Sequence, residues 1–152
     1  MDEPPLRICL VFDEKQSARR AEDLIAQVTP NLVCDQRTIR FDELSGPNGH
    51  TAAAHKAADA DVLILAARGN QMLPSHVRFW LGLCLTLRND KHEGALVALI
   101  AHETGHETMR SSILEYLETI ALVGKLAFFA GKQSPPMYLK EAEARAAQAD
   151  PW

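Results

Sequence analysis

Cysteine is scarce: Cys9, Cys34 and Cys84 are scattered, odd in number and never arranged as C-x-x-C. That usage excludes a disulfide framework and reads as reduced thiols in a cytoplasmic protein. Long hydrophobic runs are missing too. The stretch Ile8 to Phe12, behind the acidic and proline-rich MDEPPLR, is too short for a signal core or a membrane span, so neither export nor membrane insertion is expected. Positive charge is in deficit, with 16 Lys and Arg against 20 Asp and Glu and a net charge of −4, which leaves no field to draw in nucleic acid or an anionic membrane. No G-x-S-x-G, P-loop or dinucleotide fingerprint is present. What remains is 152 residues, enough for one domain that buries about two-thirds of its unfolded surface.

Two periodicities alternate along the chain. Leu6 to Phe12 is nearly all apolar, the pattern of a strand covered on both faces. Ala21, Leu24, Ile25 and Val28 follow at helical spacing, and this helix ends before Thr29-Pro30-Asn31. Val33 to Phe41 is a second, more polar strand whose Asp35, Arg37 and Arg40 suit a sheet edge. Ser45 to Gly49 reads as a loop, and Thr51 can cap an alanine-rich helix running to about Ala58.

The second half repeats this scheme more strongly. Val62–Ala66 and Ala95–Ala101 are central strands, separated by a helix that buries Val77, Trp80, Leu81 and Cys84. A long helix with Met109, Ile113, Tyr116, Leu117 and Ile120 on one stripe ends at Gly124. Lys125 to Ala130 is a fifth strand, and Ser134-Pro135 opens a last helix. Strands alternating with helices imply right-handed crossovers and a parallel sheet. The fold expected is a three-layer, doubly wound α/β domain with strand order 2-1-3-4-5 and a small-molecule crevice at the C-terminal ends of its strands.

The stretch Ala60 to Arg78 resembles the NADPH-dependent FMN reductase branch of the flavodoxin-like superfamily. There an Ala-Asp pair and an apolar strand lead into a Pro-x-Tyr-Asn-Gly-like loop, then a proline, then a helix with a basic residue four positions on. Asn70, Pro74 and Arg78 fall in register, while Ala67 and Gly69 stand where that family has its first proline and its tyrosine. The resemblance implies FMN as cofactor and NAD(P)H-dependent FMN or quinone reduction as activity. It also implies that Asn70, Gln71 and Met72 flank the isoalloxazine, that the loop of His102, Thr104 and Gly105 closes its other side, and that Lys15, Gln16 and Ser17 meet the phosphate.

The loop after the first strand departs from that pattern. It reads Asp13-Glu14-Lys15-Gln16-Ser17 and contains no glycine to let a phosphate approach the backbone. Each carboxylate about 5 Å from a phosphate charge would cost roughly 3 kcal/mol at an effective dielectric near 20. Asp13 and Glu14 equally suit the positive start of a helix with no ligand present. A second reading follows, in which the flavin has been lost and the domain is a non-catalytic binding or interaction module.

His102-Glu103-Thr104-Gly105-His106 matches the zinc-protease signature H-E-x-x-H, which needs a helix to bring two histidines to one face. Thr104 and Glu107 form a T-x-x-E capping box, so the helix is expected to begin after Thr104 and leave His102 at the strand end. Metal ligation is therefore not expected. Val11 to Glu14 also resembles the acidic pair of a response-regulator receiver, with Lys132 after the fifth strand, but Ala66-Ala67 stands where the phospho-acceptor aspartate belongs. His50, His55 and His76 read as surface residues, and Cys84 as packing. Phe79 and Trp80 read as core or as the contact of a homodimer, ahead of a wall for a flavin.

Overall fold

Each apolar run becomes a strand in the computed structural model, which describes residues 5–29, 33–88 and 93–131 and, at 47–50, the backbone alone. The elements are β1 (Leu6–Phe12), α1 (Lys15–Val28), β2 (Cys34–Arg40), a 3-10 turn (Phe41–Leu44), α2 (Pro47–Ala58), β3 (Val62–Arg68), α3 (Ser75–Leu87), β4 (Ala95–Ala101), α4 (Glu107–Val123) and β5 (Ala127–Ala130). All five strands pair in parallel in the order β2-β1-β3-β4-β5, as the alternation of elements predicts. The order reverses between β1 and β3, which places a crevice at their C-terminal ends. The helix expected from Ser134-Pro135, together with Lys132, lies outside the described residues.

Successive strand residues face opposite sides, so the apolar runs feed two cores. Val11, Leu63, Leu65, Leu96 and Ile100 pack beneath α2, α3 and α4, joined by Val77, Trp80, Ile113 and Leu117. Ile8, Leu10, Phe12, Ile64 and Leu99 pack against Ala18, Ala21 and Ile25 of α1. Full burial of a leucine such as Leu10 or Leu65 contributes about 1.5–3 kcal/mol. β2 is different. Asp35, Gln36, Arg37 and Thr38 are exposed and Ile39 alone is buried, because an edge strand has solvent within reach of its charges. Phe79 and Trp80 part company: the first is 71% exposed and the second fully buried.

Several boundaries differ from expectation, β2 by one residue at each end, with Phe41 already in the 3-10 turn. α2 begins at Pro47, not after Thr51, since proline is pre-organised for the first helical position and Gly46 precedes it in an extended conformation. β3 runs on to Arg68 because its ladder with β4 continues through Ala67–Ile100 and Arg68–Ala101. β5 starts at Ala127 because α4 ends in a Schellman motif, with the Leu126 N–H on Ala121 O at 2.8 Å and the Lys125 N–H on Leu122 O at 3.2 Å. Lys125, not Gly124, takes the left-handed position there, at φ 59°. A Cβ on Gly124 would lie 2.5 Å from the tip of the Leu85 side chain, which would have to turn away to admit it.

Candidate functional site

β1 delivers Asp13 to the point where the strand order reverses, and its carboxylate closes on the chain itself. Oδ1 accepts the Glu14 N–H at 2.8 Å and Oδ2 accepts the Arg68 N–H at 2.9 Å. Asp13 also donates its own N–H to Ala66 O at 3.3 Å. The turn after β1 is thereby stapled to the end of β3.

Arg68, the last residue of β3, extends the staple sideways. Its Nε donates to Glu103 Oε1 at 2.8 Å and lies 3.9 Å from Glu14 Oε1, so one guanidinium joins the loops after β1 and β4. The hydrogen bond and charge of Glu103, followed by the charges of Glu14 and Asp13, raise the guanidinium pKa above its ordinary value. The central rim is spanned by charges that satisfy one another.

The residues expected to bind a cofactor fall into three groups around this staple. Lys15 and Gln16 are exposed in the first turn of α1, whereas Ser17 is only 2% exposed and its hydroxyl has no hydrogen-bond partner. Asn70, Gln71 and Met72 line a pocket of about 180 Å³ together with Asp13, Phe41 and His76. His76 Nε2 lies 3.0 Å from Phe41 O and ties α3 to the 3-10 turn across that pocket. His102, Thr104 and Gly105 are exposed in the loop after β4 and do not line the pocket, and neither do Lys15, Gln16 and Ser17. Asp13, Arg68 and His76 are the residues the resemblance did not select. Their signal was a charged or polar side chain at the end of a strand or start of a helix, where loops converge.

The H-E-x-x-H segment does not form the face that zinc requires. His102 and Glu103 follow β4, Gly105 has φ 85°, and α4 starts only at Glu107 with His106 as its N-cap. The capping box expected between Thr104 and Glu107 is not made; α4 has no side-chain cap, and Glu107 Oε1 instead accepts the Gly105 N–H at 3.4 Å. The backbone N–H groups of Glu107 itself and of Gly105, and then the charges of His102 and His106, lower the Glu107 carboxyl pKa. Among the described residues no three His, Cys, Asp or Glu side chains converge as a metal site.

FMN fits this rim poorly. The Asp13 carboxylate already accepts two backbone N–H groups where a phosphate would need donors, with Glu14 beside it. What suits a phosphate here is the unpartnered Ser17 hydroxyl together with the exposed Lys15 at the start of α1. On the ring side, the Arg68–Glu103 pair spans the gap between the loops after β3 and β4. Gly69, in the register of the family's tyrosine, lies so close to β4 that a Cβ on it would be 2.4 Å from Ala101 O. The pocket of about 180 Å³ is also smaller than the roughly 300–1,000 Å³ usual for small-molecule sites.

No protein-family model and no curated protein matches the chain. Solved structures similar to it include the Trp repressor binding protein from Bacillus subtilis, with 10% identity, a TM-score of 0.53, and coverage of 84% of this chain and 85% of that one. A flavodiiron core from Synechocystis is similar with 16% identity and a TM-score of 0.50 over 84% of this chain; the chain spans 30% of that protein's length. Both likenesses are of fold. With the strand order they show that the fold is flavodoxin-like. No described helix is long and apolar enough to cross a membrane.

Proposed function

We propose that this chain is a flavodoxin-like binding module without flavin chemistry, whose crevice takes a ligand smaller than FMN in the pocket beside Asn70, Gln71 and Met72. The observation that carries this reading is the Asp13 carboxylate, which accepts the Glu14 and Arg68 N–H groups at 2.8 and 2.9 Å. A phosphate at the start of α1 would have to share that space with a charge of its own sign. Asn70 and Gln71 supply amide donors and acceptors, and Met72 an apolar surface, which suits a small polar molecule with one apolar side. The decisive experiment is titration of FMN with the purified protein, followed by flavin fluorescence. No quenching at about 100 μM protein is expected, whereas stoichiometric quenching with a low-micromolar Kd would overturn the proposal.

One observation favours a second reading, an FMN-dependent NAD(P)H oxidoreductase of the FMN or quinone reductase type. The Ser17 hydroxyl is buried in the first turn of α1 with no partner, and a phosphate oxygen would satisfy it. In this reading the flavin supplies the hydride chemistry and the chain supplies orientation and hydrogen bonds. A yellow protein carrying FMN straight from purification would establish that this reading is the better one.

A further inference from the structure

The larger of the two described cavities, about 300 Å³, lies at the opposite end of the sheet from the crevice. It sits over the first half of β1 and β2, on the face that α2 covers. Arg7 pairs with Asp35 and Cys9 with Arg37 across that ladder, and all four line the cavity. The last turn of α2 and the residue after it bring Lys56 and Asp59 to the other wall. Cys9 and Ala60 are buried on this face and form its apolar floor.

Nothing in the described chain pairs with the cations of this cavity. Arg7, Arg37 and Lys56 come from three different elements and none of them takes part in an ion pair among the described residues. The nearby carboxylate of Asp61 is turned to the Arg7 backbone, whose N–H it accepts at 2.9 Å. The negative C-terminal end of α2 is already met by Arg88, which donates to Ala58 O at 3.3 Å and Ala60 O at 2.9 Å, so Lys56 is not needed there. Three cations and two carboxylates around a concave wall give a local charge of about +1 and present both signs to a ligand.

We propose that this cavity binds a small amino-acid-like anion, with carboxylates for Arg7, Arg37 and Lys56 and an ammonium for Asp35 and Asp59. The mixed lining carries the choice of class. A bare phosphate would face Asp35 and Asp59 with like charge, while an amino dicarboxylate of net charge −1 complements both signs. Arginine forks also suit carboxylates better than point charges do. The cavity size is at the lower end of small-molecule sites and matches such a ligand. This site is independent of what the crevice binds.

The test is a 1H–15N correlation titration of the full chain with L-glutamate to about 10 mM, in parallel with inorganic phosphate. Saturable shifts are expected at the amides of Arg7, Cys9, Arg37 and Ala60, with Arg68 and Asn70 unmoved. Arg37→Glu should weaken glutamate at least about tenfold, its unshifted peaks elsewhere reporting an intact fold. Should that variant not fold, raised salt must weaken binding to the unaltered protein. Absence of saturable shifts, equal affinity in a folded Arg37→Glu variant, salt-independent binding, or tighter binding of inorganic phosphate than of glutamate would each overturn the assignment.

Discussion

At the C-terminal end of the sheet Asp13, Glu14, Arg68 and Glu103 answer one another or the backbone, whereas at the N-terminal end Arg7, Arg37 and Lys56 surround a larger cavity with no ion pair among the described residues. Ligands of this fold class are expected at the first end. The difference teaches that a crevice placed by topology is still open or closed according to the few side chains at its strand ends. Here Asp13 joins two strands at the reversal point, and the same atoms cannot also welcome a phosphate.

Asp13→Ala should therefore be the most damaging change at either end. It leaves the Glu14 and Arg68 N–H groups without their charged acceptor, a loss of about 2 kcal/mol read as a lower urea midpoint. A midpoint unchanged from the unaltered protein would mean that the staple holds nothing. The next effect is on alkaline stability, beneath the far cavity. Burial raises the Cys9 thiol from 9.0 to about 12, with Arg37 pulling slightly the other way, and burial also raises Cys84. A thiol whose folded pKa is raised favours the folded state fully below pH 9 and loses that contribution as pH climbs toward 12. Unfolding midpoints should fall over that window, and Cys9→Ala should flatten the decline by up to about 1.4 kcal/mol per pH unit. An identical slope in both proteins would place the titration elsewhere. Arg37→Ala, on an exposed edge and in no ion pair among the described residues, should change stability by no more than about 0.5 kcal/mol in the same urea assay. A larger loss would mean that the far-end cations hold the fold together, as Asp13 does.

The sequence was most legible where burial decides. The near-continuous apolar strands, the stripe of Val77, Trp80, Leu81 and Cys84, and the polar edge strand all follow from which faces must leave water. Boundaries set by backbone detail were less legible. Thr51 looked like a cap while Pro47 already begins the helix, and Gly124 looked like the left-handed residue while Lys125 takes that place. The Thr104–Glu107 spacing also fits a capping box, yet Gly105 turns the chain first and His106 precedes the helix. The rim was legible only as a mismatch with the flavin pattern at Asp13 and Glu14. Sequence alone carries no sign that Asp13 meets the Arg68 N–H, or that Arg68 reaches Glu103, because those partners are 55 and 35 residues apart. The far cavity was hidden for the same reason: Arg7, Arg37 and Lys56 meet only once β1, β2 and α2 have packed.

The most direct measurement is the FMN affinity of an Asp13→Ser, Glu14→Gly variant against that of the unaltered chain. Removing both carboxylates while keeping a hydroxyl acceptor at position 13 should strengthen binding by about tenfold or more, because like charge at the phosphate seat is what the rim imposes. An unchanged affinity in a folded variant would contradict that claim and return the flavin question to some other part of the crevice.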